Sequence, residues 1–189
     1  MKYEQAQQKL KVLKAEFEKL RGEIISVRRA ADPQEMKDFE FTRPDGSKAK
    51  WADLFGGRND LILIHNMGRG CSYCTLWADG FNGVYKHLAS RAAFAIATPD
   101  KPEAQAEFAA SRGWKFPMIS YRGTSLAEDT GYGGDGGFMP GVSVFQRKGG
   151  KVVRVSDTSF EPGDLYCSVW HLLDLIPEGA KGWGPKFSY

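Results

Sequence analysis

The sequence predicts an α/β fold, with parallel strands joined by helices in mid-chain, an antiparallel hairpin after them and a long helix in front. Three observations carry this expectation. Between Leu61 and Arg112 an apolar strand run, a helix-compatible segment, a second apolar strand and a second helical segment follow one another. Two further strand patterns flank Gly149-Gly150. Ahead of all of these, residues 2–30 hold no proline and one glycine, Gly22, and repeat apolar residues at heptad spacing.

In that first segment Leu10, Leu13, Phe17, Leu20, Ile24 and Val27 alternate three and four apart, and Tyr3 and Ala6 extend the pattern backwards. A seam of this kind suits a coiled coil. With Leu10, Phe17 and Ile24 at a, the g residues Glu16 and Glu23 face the e residues Arg21 and Arg28 of a parallel partner, while Lys9 faces Lys14. A homodimer through residues 1–31 is therefore expected. A helix of this length, roughly 40 Å at 1.5 Å per residue, outruns the side of a small domain.

Asp32-Pro33 closes the helical region, because proline cannot continue it and restricts the residue before it. Phe39-Glu40-Phe41 alternates as a short strand. In Pro44-Asp45-Gly46 the proline presets φ and the glycine accepts the positive φ that follows, so a turn is expected there. Lys48 to Trp51 returns as a second strand, and Ala52 to Phe55 makes one helical turn before Gly56-Gly57. Leu61-Ile62-Leu63-Ile64 is apolar at both alternating sets of positions, which suits a central strand covered on both faces.

Thr75 to Leu88 places Trp77, Phe81, Val84 and Leu88 on one helical face. Gly80 and Gly83 each cost that helix about 1 kcal/mol against alanine, so packing must hold it. Ala93 to Thr98 is the next strand, and Pro102 to Arg112 the next helix, with its proline tolerated in the first turn. After the extended stretch Phe116 to Tyr121, Arg122 to Gly141 reads as a long loop with five glycines between Gly131 and Gly137. Neither a lysine nor a helix follows in the spacing of a phosphate cradle. Val142 to Phe145 and Lys151 to Ser156 form the hairpin. A last helix is expected from Asp164 to Ile176, with Leu165, Val169, Leu172 and Ile176 on its inner face and Cys167, His171 and Asp174 on a polar one.

The chain has 189 residues and a formal net charge of +3. That length allows one ordinary domain plus an appendage, and the charge is too small and too scattered to argue for nucleic acid or an anionic membrane. No apolar run approaches the ~20 residues of a membrane span. The N-terminus lacks the apolar core of a secretory signal, so a cytoplasmic location is expected. Three cysteines do not make a disulfide scaffold. In a reducing compartment the spacing Cys71-Ser72-Tyr73-Cys74 points to redox or metal chemistry.

Here Leu61 to Ile64 leads through His65-Asn66-Met67 and Gly68-Arg69-Gly70 to those cysteines at the start of a helix. A thiolate at a helix N-terminus gains from unpaired backbone N–H groups and the positive end of the dipole. Cys71, at the turn, is the expected attacking thiolate, Cys74 the resolving thiol, and Arg69 a nearby positive charge. A metal half-site is the alternative. Cys74 and His87 stand twelve apart, but a second histidine does not follow in finger spacing and the set would need His65 as well. Five residues of helix turn Asp79 about 140° away from Cys74, so a structural role is expected for it.

Strand, Cys-x-x-Cys, helix, strand, helix, then a proline before a hairpin and a last helix is the order of a thioredoxin-like domain. More specifically, the chain resembles a bacterial thioredoxin-like family of unknown function. The resemblance rests on Gly70-Cys71-x-x-Cys74 with Trp77-Ala78-Asp79-Gly80-Phe81-Asn82-Gly83, on Gly113-Trp114-Lys115-Phe116-Pro117, on Pro140-Gly141-Val142-Ser143-Val144-Phe145 and on Leu172-Leu173-Asp174-Leu175. It implies a mixed β-sheet flanked by helices over residues 32–189, with residues 1–31 as a helical extension. It also implies that Met139-Pro140 is a cis bond bordering the sulfurs. Ser72-Tyr73 stands where thioredoxin itself has Gly-Pro, so the resemblance does not by itself imply that protein's strongly reducing character.

The expected activity is thiol–disulfide exchange through Cys71 and Cys74. Arg69, Tyr73, Met139 and Pro140 border the substrate, which is a protein or small-molecule thiol or disulfide, and neither cofactor nor metal is required. Two alternatives stand beside it. One is a thiol peroxidase, because Asp45-Gly46 and Leu54-Phe55-Gly56 look peroxiredoxin-like. The pattern Pro-x-x-x-Thr-x-x-Cys is missing, however: Gly68 and Ile64 stand at those positions before Cys71. The other is a non-catalytic dimerisation or binding module whose cysteines are structural or zinc-bound.

Overall fold

The computed structural model describes residues 1–189. Its first element, α1 (Tyr3–Ala30), is one helix of 28 residues, none of them buried. The expected apolar seam is present and uncovered, with Leu10, Leu13, Phe17, Leu20, Ile24 and Val27 between 43% and 71% exposed. Near its end the half-buried Ile25 and Arg28 lie beside Val155 and Ser156. This is where the helix meets the rest of the chain.

The body begins with β1 (Gln34–Glu35), β2 (Phe41–Thr42), β3 (Lys48–Ala49) and the five-residue helix α2 (Trp51–Phe55). β2 and β3 pair antiparallel, Phe41 opposite Ala49. The turn between them follows its sequence: Asp45 accepts the Ser47 N–H at 2.9 Å, and Gly46 has φ +84°. Next come β4 (Asp60–His65), α3 (Ser72–Arg91), β5 (Ala93–Thr98), α4 (Pro102–Arg112) and β6 (Met118–Ser120). β4 pairs parallel with β5 and β5 parallel with β6, so each helix is a crossover.

The expected long loop holds two elements that periodicity cannot show, α5 (Leu126–Thr130) and the ribbon β7 (Gly133–Gly134) with β8 (Gly137–Phe138). Leu126 and Ala127 anchor the short helix, buried among Phe41, Phe55 and Phe145 in one apolar cluster. β9 (Gly141–Lys148) and β10 (Lys151–Ser159) then form the hairpin, and α6 (Ser168–Leu173) ends the ordered elements. The eight-stranded sheet runs β1-β10-β9-β4-β5-β6-β2-β3. It is the mixed sheet flanked by helices that the sequence predicts.

β4 sits at its centre, and its side chains alternate between two cores. Leu61 and Leu63 join Phe41, Trp51, Phe55 and Phe145 on one face. Ile64 joins Trp77, Phe94, Phe116, Phe160 and Trp170 on the other. The expected inner face of α3 holds at Trp77, Phe81 and Leu88, which pack on the second core, with Cys74, Thr75 and Ala78 also buried; Val84 departs from it, at 46% exposed. In its place Tyr85 packs against Phe94 at 5.9 Å between ring centroids, because an aromatic ring reaches the sheet from a position one residue on.

α6 is shorter than expected and turned. Trp170 is its buried residue and Val169 packs beside it on the core, while Leu165, Leu172 and Ile176 are 59%, 62% and 50% exposed. A six-residue helix buries one turn only, and the indole of Trp170, packed on Trp183 at 5.7 Å, takes that place from the smaller leucines. Of the polar face expected there, Cys167 is buried and Asp174 is the C-cap. His171 bonds the Asp164 carbonyl at 2.9 Å.

Asp79 has the expected structural role. It accepts the Trp114 indole N–H at 2.8 Å and forms a two-pronged ion pair with Arg112. Three residues on, Asn82 accepts the Lys115 N–H at 2.8 Å and donates to the Gly113 carbonyl. These bonds tie α3 to the end of α4. A Cβ built on Gly80 or Gly83 meets nothing within 4 Å, and both sit in the exposed interior of α3. Gly80→Ala and Gly83→Ala should each raise the unfolding free energy by about 1 kcal/mol, read as a higher denaturant midpoint at unchanged slope.

Candidate active site

The two cysteines of the motif lie where the chain leaves β4 and enters α3. Asn66 shapes the exit: its carboxamide oxygen accepts the Gly68 N–H at 2.8 Å, an Asx turn. Gly68 has φ +101°, and a Cβ there would stand 3.0 Å from both carboxylate oxygens of Asp100. Conformation and space both demand glycine. Asp100, two residues past the end of β5, accepts the Arg69 N–H at 2.9 Å and the Thr98 hydroxyl at 3.2 Å. The Cys71 N–H then returns to the Gly68 carbonyl at 3.1 Å. Sequence reasoning assigns no role to Asn66, Thr98 or Asp100. The Asn-x-Gly spacing is the available signal for Asn66, whereas Asp100 comes close only through the fold.

Cys71 is the N-cap of α3, and its sulfur accepts the Cys74 backbone N–H at 3.0 Å. Its thiol is brought down to about 7, first by a hydrogen bond from the Cys74 thiol; burial opposes this, and the backbone N–H groups of Cys74 and Tyr73 add to it. The same S–H bond, together with burial, pushes Cys74 far up. The pair is thus unequal: Cys71 is half-exposed and poised as a thiolate, whereas Cys74 is 2% exposed and keeps its proton. All three cysteines are free.

The residues expected to border the substrate fall in different places. Arg69 is exposed and enters the turn through its backbone; the groups that lower Cys71 belong to Cys74 and Tyr73. Tyr73 is 37% exposed. Its ring lies 6.4 Å from Trp77 and 6.1 Å from Trp170, and its hydroxyl lies against Gly184. The peptide before Pro140 is trans, contrary to expectation. Met139 N–H is taken by the Tyr132 carbonyl and the Pro140 carbonyl by Phe160 N–H, each at 2.9 Å. Strand-like pairing with a substrate is closed at those two groups. Met139 itself is 56% exposed.

His65 does not turn to the cysteines. Its Nε2 is 2.8 Å from the Ser143 hydroxyl, and its ring stacks on Tyr132 at 4.0 Å and 8°. Burial, then the charge of Arg154, lowers its pKa to about 3, so it stays neutral inside the fold. His87 is exposed on α3. No three His, Cys, Asp or Glu side chains converge as a metal set, which leaves the zinc alternative without further ligands.

A family model described as a bacterial protein of unknown function (DUF899) matches residues 1–186. No curated protein matches the chain as a relative. Among solved structures, peroxidoxin BcpB from Mycobacterium tuberculosis is similar at 24% identity and TM-score 0.55, over 67% of this chain and 84% of that one. A cysteine-to-serine mutant of peroxiredoxin Q from Xanthomonas campestris is similar at 14% identity and TM-score 0.57, over 72% and 90%. A hypothetical protein from Sinorhizobium meliloti 1021 is similar at 13% identity and TM-score 0.53, over 84% and 88%. The fold is therefore thioredoxin-like, of the kind seen in peroxiredoxins. No helix is long and apolar enough to cross a membrane.

The inequality of the two thiols can be measured directly. Iodoacetamide should label Cys71 with a rate that is half-maximal near pH 7, set by its lowered pKa. Buried Cys74 and Cys167 should stay unlabelled in the folded protein, as peptide mass spectrometry would show. Equal labelling of Cys71 and Cys74 would contradict the arrangement.

Proposed function

The chain belongs to the DUF899 family of bacterial proteins of unknown function, and from the geometry of its cysteines we propose that it is a thiol–disulfide oxidoreductase. The observation that carries this reading is the lowered Cys71 thiol at the head of α3, hydrogen-bonded by the backbone and the thiol of Cys74. A thiol with a pKa near the ambient pH is close to the best attacking group, because thiolate fraction and nucleophilicity oppose each other.

In the proposed reaction the Cys71 thiolate attacks one sulfur of a disulfide substrate. A bond forms between Cys71 and that sulfur, the substrate's S–S bond breaks, and the leaving thiolate takes a proton from solvent. Once Cys71 is a mixed disulfide, the Cys74 S–H has lost its acceptor. It gives its proton to solvent, attacks the Cys71 sulfur and expels the second substrate thiolate. Two electrons have then passed to the substrate, and Cys71 and Cys74 are joined. The opposite direction, oxidation of a dithiol, uses the same steps in reverse.

A second reading, a thiol peroxidase using the same Cys71, is favoured by the likeness in fold to peroxiredoxins. In it the thiolate takes one oxygen of a peroxide and becomes a sulfenic acid, an alcohol or water leaves, and Cys74 condenses with the sulfenic acid to release water. The local chemistry is less suited to this. Gly68 stands where a threonine hydroxyl would orient the peroxide, and the space beside it holds the Asp100 carboxylate.

Titration against glutathione and dithiothreitol should give a reversible two-electron couple between about −270 and −120 mV. Below pH 7 oxidation releases two protons, and above it only Cys74's, because Cys71 is already a thiolate. The potential should therefore fall by about 59 mV per pH unit below pH 7 and about 30 mV per unit above it. Cys71→Ser should abolish turnover of a disulfide substrate, and Cys74→Ser should accumulate the mixed disulfide at Cys71. A pair that never oxidises would refute the proposal, and turnover of peroxide far faster than of any disulfide would move it to the second reading.

A further inference from the structure

The fold leaves the apolar seam of α1 without a partner, and nothing in the body of the chain covers it. A free helix gains little from propensity, and most helical stability in proteins comes from packing an apolar face. Here that face is continuous, with Leu10, Phe17 and Ile24 at one set of heptad positions and Leu13, Leu20 and Val27 at the other, all of them exposed. Gln8, Ala15 and Gly22 lie opposite the seam, and a Cβ on Gly22 meets nothing within 4 Å. Packing of α1 on its own domain is confined to its last turns.

We propose that α1 pairs in parallel with α1 of a second copy of this chain, making a two-stranded coiled coil that holds two domains at one end. Charge selects both occupant and direction. In the parallel pair Glu16 faces Arg21 and Glu23 faces Arg28 of the other copy, each contact occurring twice; Lys9 against Lys14 is the one unfavourable match. An antiparallel pair would set the positions of Lys14, Arg21 and Arg28 against one another, and all three are cationic. Within one helix Arg21 meets Glu18 at 3.1 Å with both side chains more than half exposed. Such a pair is weak enough to yield to the partner's Glu16.

This inference is independent of the chemistry at Cys71, and its test uses the full chain. By sedimentation equilibrium the unmodified protein should be a dimer, and Phe17→Asp should make it a monomer with unchanged Cys71 labelling, which shows that the domain still folds. Glu16→Lys alone and Arg21→Glu alone should each weaken the dimer about tenfold or more. An equimolar mixture of the two variants should restore it, because each altered residue then meets an opposite charge. A monomeric unmodified chain, a dimer that survives Phe17→Asp, or a mixture no tighter than its components would overturn the proposal.

Discussion

Between His65, the last residue of the central strand, and Ser72, the first of α3, the chain must turn within six residues while every buried backbone group finds a partner. Gly68 makes this turn in a conformation that side chains rarely adopt, and the Asp100 carboxylate fills the space its side chain would need. Asn66 holds the amide on one side, and Asp100 holds the next amide on the other. Because the turn is pinned from two strands, Cys71 arrives at the helix N-terminus with its sulfur already facing free N–H groups. The chemistry of the sulfur follows first from the Cys74 thiol, which this placement sets beside it, and then from those N–H groups.

The rest of the molecule makes that turn rigid. β4 is clasped between the parallel β5 and the antiparallel β9, and both of its faces are packed. α3 is held against the sheet by aromatic rings and fastened to α4 through Asp79 and Asn82. With two glycines in its interior, α3 relies on this fastening.

Much of the fold was legible in the sequence, because its signals are local. Alternation in Leu61 to Ile64, the proline opening α4 and the paired glycines of the hairpin each report a backbone state that neighbours cannot easily override. The failures share a cause as well. α5 and α6, of five and six residues, are shorter than the window over which helical period can be read. Their orientation is decided by which side chain finds a cavity, as Trp170 does. At the candidate site the placement of Cys71 at the head of the helix and of Cys74 one turn inside it was legible from their spacing. Asp100 was not, because it reaches Gly68 through strand pairing, and neither was the trans peptide at Pro140, whose flanking groups bond Tyr132 and Phe160.

The stack of rings around Tyr73 has a consequence for watching the molecule at work. Cys71 and Cys74 flank a tyrosine that lies against Trp77 and Trp170, and Trp170 in turn lies against Trp183. The emission of these indoles therefore reports, without any label, on the packing around the turn that carries the cysteines.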